Sequence, residues 1–302
     1  MSSPSVTVLV CTNKIDYQFY DSVKSVCCQD YNNLKISIFL DGIYNSCHHR
    51  SISKILKSYD RQYVITGSSS SVGLTKGLLQ LQENTSTEYF ARIDIGDLWQ
   101  SNKITKQIEA CLRYSYTVVG TRSQYIDQYG TILGLSELLP YESESIIQRI
   151  KCYKGLYDHS SILFSSAFKY DSNWYYSQDM KLYVDIANHN KKFGYIPDPL
   201  TLVRFNPNGI TIQKRPLQIY YEKEARRRLN VRSNKFSLPK HVSKLHKPNK
   251  YFSYFYKNFI NSIQSKNYLT GYFFLLLSCI SDLRVLGYYL DRIIYALYKL
   301  LQ

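Results

Sequence analysis

The chain has 302 residues, 44% of them apolar and 20% charged, which is enough for a large core and rules out a disordered composition. Its formal charge of +15 is uneven: residues 211–260 hold 13 basic and 2 acidic groups, whereas residues 1–210 are close to balanced. One segment is therefore the polycation, suited to an anionic membrane surface, nucleic acid or polyphosphate, with a solvated basic linker as the plain alternative.

"SVTVLVCT" (5–12) is β-branched and apolar and predicts a buried strand. "YQFYDSVKSVCCQDY" follows with Phe19, Val23, Val26 and Cys27 on one helical face. "LKISIFLDG" predicts a second strand, "SISKILKSY" a helix and "RQYVITG" a third strand. "SSSSVGLTKGLLQLQENT" is a polar loop opening into a helix, and "EYFARIDIGD" a fourth strand. This β-α-β-α-β-α-β order predicts an open, mostly parallel sheet flanked by helices, Rossmann-like in class. Beyond it, "QSNKITKQIEACLRY" predicts a helix, "YTVVGTRSQYID" a strand and "SESIIQRIKCY" a helix. "HSSILFSS" then predicts a strand, "SQDMKLYVDIANHN" a helix, and "KFGYIPDPLTLVRF" closing strands.

The seven cysteines are odd in number, scattered and without a C-x-x-C, so they are expected as reduced thiols in a cytoplasmic protein. "MSSPSVTVLV" lacks the basic and apolar regions of a leader. "YLTGYFFLLLSCI" falls short of the roughly 20 apolar residues that a membrane span requires.

Ligands of such sheets bind at the carboxyl ends of the strands, and Asp41 and Asp94 both fall at strand ends. Topology would bring them to one rim. Asp94 and Asp97 in "DIGD" have the chemistry to ligate a divalent cation that neutralises a diphosphate, or to bond a ribose, and Gly96 allows close backbone approach. An ordinary turn explains the same two acids. His48-His49 has no partner spacing for zinc.

Taken in order, five segments resemble the family 2 glycosyltransferases of the GT-A fold. The opening runs from Val6 through "CTN" and "SVCCQDY" to Asp41-Gly42; "SVGLTKGL" is similar to the family's Gly-Leu loop; "YFARIDIGDLWQSNKITKQIE" is similar to its metal-binding segment; "DHSSILF" and "SQDMKLYVDIANHNKKFGYIPDPLTLVRFNPNGIT" are similar to its later motifs. The resemblance covers roughly residues 5–212 and implies a GT-A catalytic domain over 1–212. It implies a nucleotide-sugar donor held by Thr12 (or Cys11, the turn being one residue short), Asp41, Gly73 and Asp94, with Arg204 a further candidate for the diphosphate or merely the partner of a surface carboxylate. It further implies Mg²⁺ or Mn²⁺ at Asp94, with Asp97 standing in for the second acid that Gly96 replaces. Asp179, after Gln178, matches the base of an inverting transfer, which takes the acceptor hydroxyl proton. His159 stands where the family pattern has a His and is a candidate to touch acceptor or diphosphate, with a polar strand-edge His as the equal alternative. Trp99 is a candidate for stacking on an acceptor sugar, with core packing as the favoured reading.

Residues 213–302 form a basic, Tyr-rich extension, with Phe273, Leu276, Ile280, Leu283, Leu290, Ile294, Leu297 and Leu301 near helical spacing. Cations interleaved with aromatics and followed by an amphipathic helix fit an anionic leaflet, and a homodimer contact is a second use. Nucleic-acid binding through 211–260 ranks below these, because no recognised module accompanies it. Together these readings predict an inverting transferase peripheral to the inner face of the cell membrane. It would act on a polyprenyl-diphosphate-linked saccharide in O-antigen, capsule or related surface-polysaccharide synthesis. A catalytically impaired GT-A-fold partner subunit is the alternative.

Overall fold

The computed structural model describes residues 3–152, 155–206, 209, 214–230, 250–264 and 267–281. The chain divides into two compact units, Met1–Gln148 with Leu156–Phe205, and Arg149–Gly155 with Asn206–Gln302.

The first unit is built on a sheet of nine strands in the order β3-β2-β1-β4-β8-β6-β9-β5, with β7 paired to β6. The strands are β1 (Val6–Thr12), β2 (Leu34–Leu40), β3 (Gln62–Gly67), β4 (Tyr89–Ile93), β5 (Leu98–Trp99), β6 (Val118–Ile126), β7 (Ile132–Leu135), β8 (Leu163–Ser165) and β9 (Phe193–Arg204). β1 pairs in parallel with β2 and β4, and β2 with β3. β8 lies antiparallel between β4 and β6, while β6 and β9 are parallel. The carboxyl ends of β1, β2, β4, β6 and β9 therefore share one rim with the segment that enters β8.

The helices are α1 (Tyr17–Cys27), α2 (Ser46–Ser58), α3 (Leu74–Glu83), α4 (Lys103–Tyr114), α5 (Ser143–Lys151) and α6 (Gln178–Asn188). The side chain of Asp16 caps α1 at the Phe19 amide, and Asn45 caps α2 at His48, each satisfying a donor that the first turn leaves open. Phe19, Val23, Val26 and Cys27 are all buried, as their spacing predicts. They pack with Val8, Val10, Ile36, Ile38, Ala91 and Ile93 of the central strands. α3 lies so close to the sheet that a Cβ on Gly77 would come within 2.7 Å of the Cys11 sulfur and 2.8 Å of the Phe39 ring.

Two segments differ from the sequence expectation. "HSSILFSS" is a single 3-10 turn, His159–Ser161, before the short β8. Ser161 turns its amide and its hydroxyl back onto the Asp158 carbonyl, competing locally with strand pairing. "KFGYIPDPLTLVRF" is one 12-residue strand whose pairing with β6 shifts register opposite its two prolines, which have no N–H to donate. All seven cysteines are free, and burial pushes the Cys11 and Cys111 thiols up to about 12.

In the second unit, α7 (Arg215–Arg227) carries the buried Arg226, paired to Glu222 and donating to the carbonyls of Arg149 and Ile150. α8 (Lys250–Gln264) and α9 (Tyr268–Ser281) pack together, Phe255 stacking near Phe274. Tyr268, Leu269, Tyr272, Phe273, Leu276 and Ile280 are exposed on α9. Among the described residues no helix is long and apolar enough to cross a membrane. Most of the basic stretch and the periodic residues beyond Ser281 lie outside the described residues.

Candidate active site

Each residue on the rim is fixed by a short connection leaving a strand. After β1, the Thr12 hydroxyl donates to the Lys14 carbonyl (2.6 Å) and accepts from its amide (3.2 Å), closing a tight turn, while Lys14 pairs with Asp16. After β2 comes Asp41, buried, its amide on the Thr12 carbonyl. Its carboxylate accepts from the Ser71 hydroxyl (2.8 Å) and from the amides of Val72 (2.6 Å) and Gly73 (3.2 Å). Asp41 thus organises the serine-rich loop that starts α3. Gly73, with φ 89°, takes a conformation that a side chain disfavours, and nothing lies within 4 Å of where its Cβ would be.

After β4 comes the acidic turn. The Asp94 carboxylate is 46% exposed and is bound from beneath by Arg92. Arg92 is buried inside β4 and also bonds His159, whose Nε2 meets the Tyr170 hydroxyl at 2.7 Å. A guanidinium only donates, so the ring nitrogen facing Arg92 is unprotonated. Burial first, and then the Arg92 charge, hold His159 well below the usual imidazole range, so it is neutral near pH 7. Burial opposes the Arg92 charge, but the carboxylates Asp94 and Asp179 outweigh it and raise Arg92 above the ordinary guanidinium range.

Two carboxylates, Asp94 and Asp179, act on this cation, and a third, Asp41, lies on the same rim beside the Cys11 thiol. The Cys11 thiol is pushed up mainly by burial, with the charges of Asp41 and Asp94 both adding, so both reach the end of β1. Tyr170 is likewise raised by burial, with Asp179 and Asp94 adding and Arg92 opposing. Asp179 lies in the first turn of α6, after Ser177 in the left-handed region (φ 49°), and its Oδ1 accepts from the Met180 amide (2.8 Å). Asp41 and Asp94 therefore share one neighbour, Asp94 and Asp179 share two, and all three belong to the first unit. Two other concavities, on α4 at Lys106, Glu109 and Arg113 and at the amino ends of β1–β3, show no such convergence.

Three sequence assignments come out differently, and a fourth residue, Trp99, takes the core place that is its favoured reading. Asp97 is buried, its two oxygens bonded to the Ser160 hydroxyl and to the Arg204 amide (2.8 Å). Burial, with the Asp94 charge adding to it, pushes the Asp97 carboxyl up to about 8. A carboxyl that holds its proton at neutral pH and spends both oxygens on the protein is a latch, so it does not make a second metal ligand beside Asp94. Arg204 spends its side chain on carbonyls, Nε on Gly96 and Nη1 on Asp127 and Gln128, each at 2.9 Å, and so ties two turns together rather than meeting an anion. Trp99 is core: its Nε1 donates to the Ser160 carbonyl (2.8 Å) and the Lys103 ammonium covers the ring at 3.9 Å, leaving no face for a sugar. His159 has its nitrogens engaged by Arg92 and Tyr170, so it supports Asp94 instead of offering a free nitrogen to a ligand.

Arg92, Ser160 and Tyr170 are site residues that the motif reading passed over. Ser160 is central: buried, it bonds Asp97, accepts from the Asp94 amide (2.9 Å) and receives Trp99 through its carbonyl. The signal for Arg92 was present in "YFARI", where a cation in a strand buried on both faces demands a counter-charge.

The metal expectation meets a limited donor set. Among the described residues no group of three or more His, Cys, Asp or Glu converges as a cation cage. The exposed Asp94 carboxylate is one oxygen donor, which fits a Mg²⁺ or Mn²⁺ that draws its remaining ligands from substrate phosphates and water.

No family model matches the chain. Over 223 residues it is 22% identical to an uncharacterized glycosyltransferase of Haemophilus influenzae, covering 68% of this chain and 66% of the relative, just under two thirds of that protein's length. Among solved structures it is similar to S. aureus TarS 1–349, with a TM-score of 0.54, 9% identity and coverage of 88% of this chain and 89% of that one. TarS 1–349 in complex with UDP gives a TM-score of 0.51 at 10% identity, over 99% of this chain and 92% of that one. At such identities the likeness is one of fold, and that fold is of GT-A type.

Proposed function

We propose that the protein is an inverting glycosyltransferase that moves a sugar from a nucleoside-diphosphate donor to a saccharide hydroxyl. The observation that carries the reading is that Asp41 and Asp94 leave the carboxyl ends of the parallel strands β2 and β4 on one rim, with Asp179, from a distant part of the chain, acting on Arg92 beneath Asp94. The similarity to a glycosyltransferase sequence and to a fold solved with UDP supports it.

In this reading the loop that Asp41 organises, with Thr12 and Gly73, receives the nucleoside, and Asp94 faces the diphosphate. A Mg²⁺ or Mn²⁺ held there by Asp94 would neutralise the departing diphosphate. Asp179 takes the proton of the acceptor hydroxyl as that oxygen bonds the anomeric carbon. The bond from that carbon to the diphosphate oxygen breaks from the opposite face, and its electron pair leaves with the nucleoside diphosphate. The acceptor class is a lipid-linked saccharide of a surface polysaccharide, met at the inner face of a membrane. The basic residues of 211–260 and the exposed apolar side chains of α9 support that placement.

The test combines a nucleotide-sugar screen by thermal protection with transfer and hydrolysis assays on the best donor. In Asp179→Asn, turnover is expected to fall by about 10²–10⁴-fold while UDP affinity stays within a few-fold. Full turnover in a folded Asp179→Asn protein would remove the assigned base. The second reading, a GT-A subunit that binds donor without turning it over, is favoured by Gly96 in place of an acid and by the Asp97 latch. UDP binding without hydrolysis or transfer of any nucleotide sugar would select it.

A further inference from the structure

Arg92 has no assigned part in the chemistry, yet it is the charged group around which the site is arranged. It is the penultimate residue of β4, is 2% exposed, and contacts both Asp94 and His159. The rest of its surroundings are the Tyr170 hydroxyl, the Cys11 thiol and the field of Asp179. His159 is neutral and Tyr170 retains its proton, so neither competes with the carboxylates for the cation.

Resting on the transferase reading, we propose that Arg92 is the positioning residue of the site: its buried guanidinium fixes Asp94 toward the donor and supplies the counter-charge for Asp179. The His159–Tyr170 pair, bonded at 2.7 Å, holds the guanidinium in its plane. Two carboxylates near one donor repel each other, and a fixed cation bonded to Asp94 and within electrostatic reach of Asp179 offsets that repulsion. Lysine does not duplicate this, because a point charge on a flexible stem cannot fork to Asp94 and His159 together.

The test is the pH profile of kcat/KM for donor hydrolysis or transfer in Arg92→Met and Arg92→Lys. UDP affinity is measured by calorimetry, and folding by melting. In Arg92→Met the acid limb, set by Asp179, moves to higher pH, because removing a nearby positive charge favours the protonated base. In Arg92→Lys the limb stays at its wild-type position, but kcat/KM falls by about tenfold or more as Asp94 loses its fixed geometry. A folded Arg92→Met protein with an unmoved limb overturns the proposal. Should that variant not fold, Arg92→Lys alone decides: a displaced limb, or wild-type kcat/KM, overturns the proposal, and a retained limb with reduced rate supports it. Wild-type protein that neither binds UDP nor turns over any nucleotide sugar would instead refute the transferase reading, and the proposal with it.

Discussion

Replacing Asp97 by asparagine separates a structural latch from a ligand. The unfolded chain gives up this proton near pH 3.9, whereas in the folded protein the carboxyl is raised from 3.8 to about 8. Between those values the native state holds a proton that the unfolded state has lost. Stability from this group therefore falls as pH rises through the window, at up to about 1.4 kcal/mol per pH unit. Across the full window the loss has a ceiling on the order of 5 kcal/mol. Asparagine has the same shape and no proton to lose: its oxygen accepts from the Arg204 amide and its amide faces the Ser160 hydroxyl. Asp97→Asn should match wild type within about 1 kcal/mol near pH 4, where the linkage loss is only beginning. At pH 8 it should be the more stable of the two, with the difference growing steadily in between. Urea unfolding followed by tryptophan fluorescence measures this directly, since Trp99 and Trp174, the two tryptophans, are both buried in the first unit. Subtracting the two curves cancels other titrating groups, His159 and Asp158 among them. Equal slopes in both proteins, or a variant several kcal/mol weaker at pH 8, would mean that Asp97 is ionised in the fold and would refute the latch.

Two further outcomes follow from the site. Trp99→Phe loses the bond to the Ser160 carbonyl and weakens the contact with Lys103. It should cost about 2 kcal/mol in urea unfolding while leaving acceptor KM unchanged; a raised KM at unchanged stability would return Trp99 to the sugar site. Mn²⁺ should bind measurably only when UDP is present, because Asp94 alone is a single carboxylate donor. Calorimetry showing tight Mn²⁺ binding to the UDP-free protein would identify a complete protein cage instead.

Much of the fold was legible in the chain. The alternation of apolar runs with 3.6-period segments marked β1 through α4, because a strand buried on both faces reads as a continuous apolar run and a covering helix shows one apolar stripe. Caps such as Asp16 and Asn45 carry their own signal, since the partner amide is three residues away. The extents of the short pieces were not legible. Two-residue β5 has no period to detect and pairs through Leu98 opposite Leu202, whereas β8 was expected but is cut to three residues by the turn before it. Asp41 and Asp94 could be nominated from their strand-end positions, and Asp179 from the family resemblance.

What sequence determined by itself was which residues are chemically able to act and the order of elements that brings strand ends to one rim. Tertiary structure decided which of them are free to act. Asp94 and Asp97 sit three residues apart in near-identical local sequence, yet one faces solvent over Arg92 while the other is enclosed by Ser160 and Arg204, 63 and 107 positions away. Ionisation, burial and hydrogen-bond occupancy are set by neighbours from distant parts of the chain. No spacing rule encodes those neighbours, so the difference between a ligand and a latch appears only once the chain is folded.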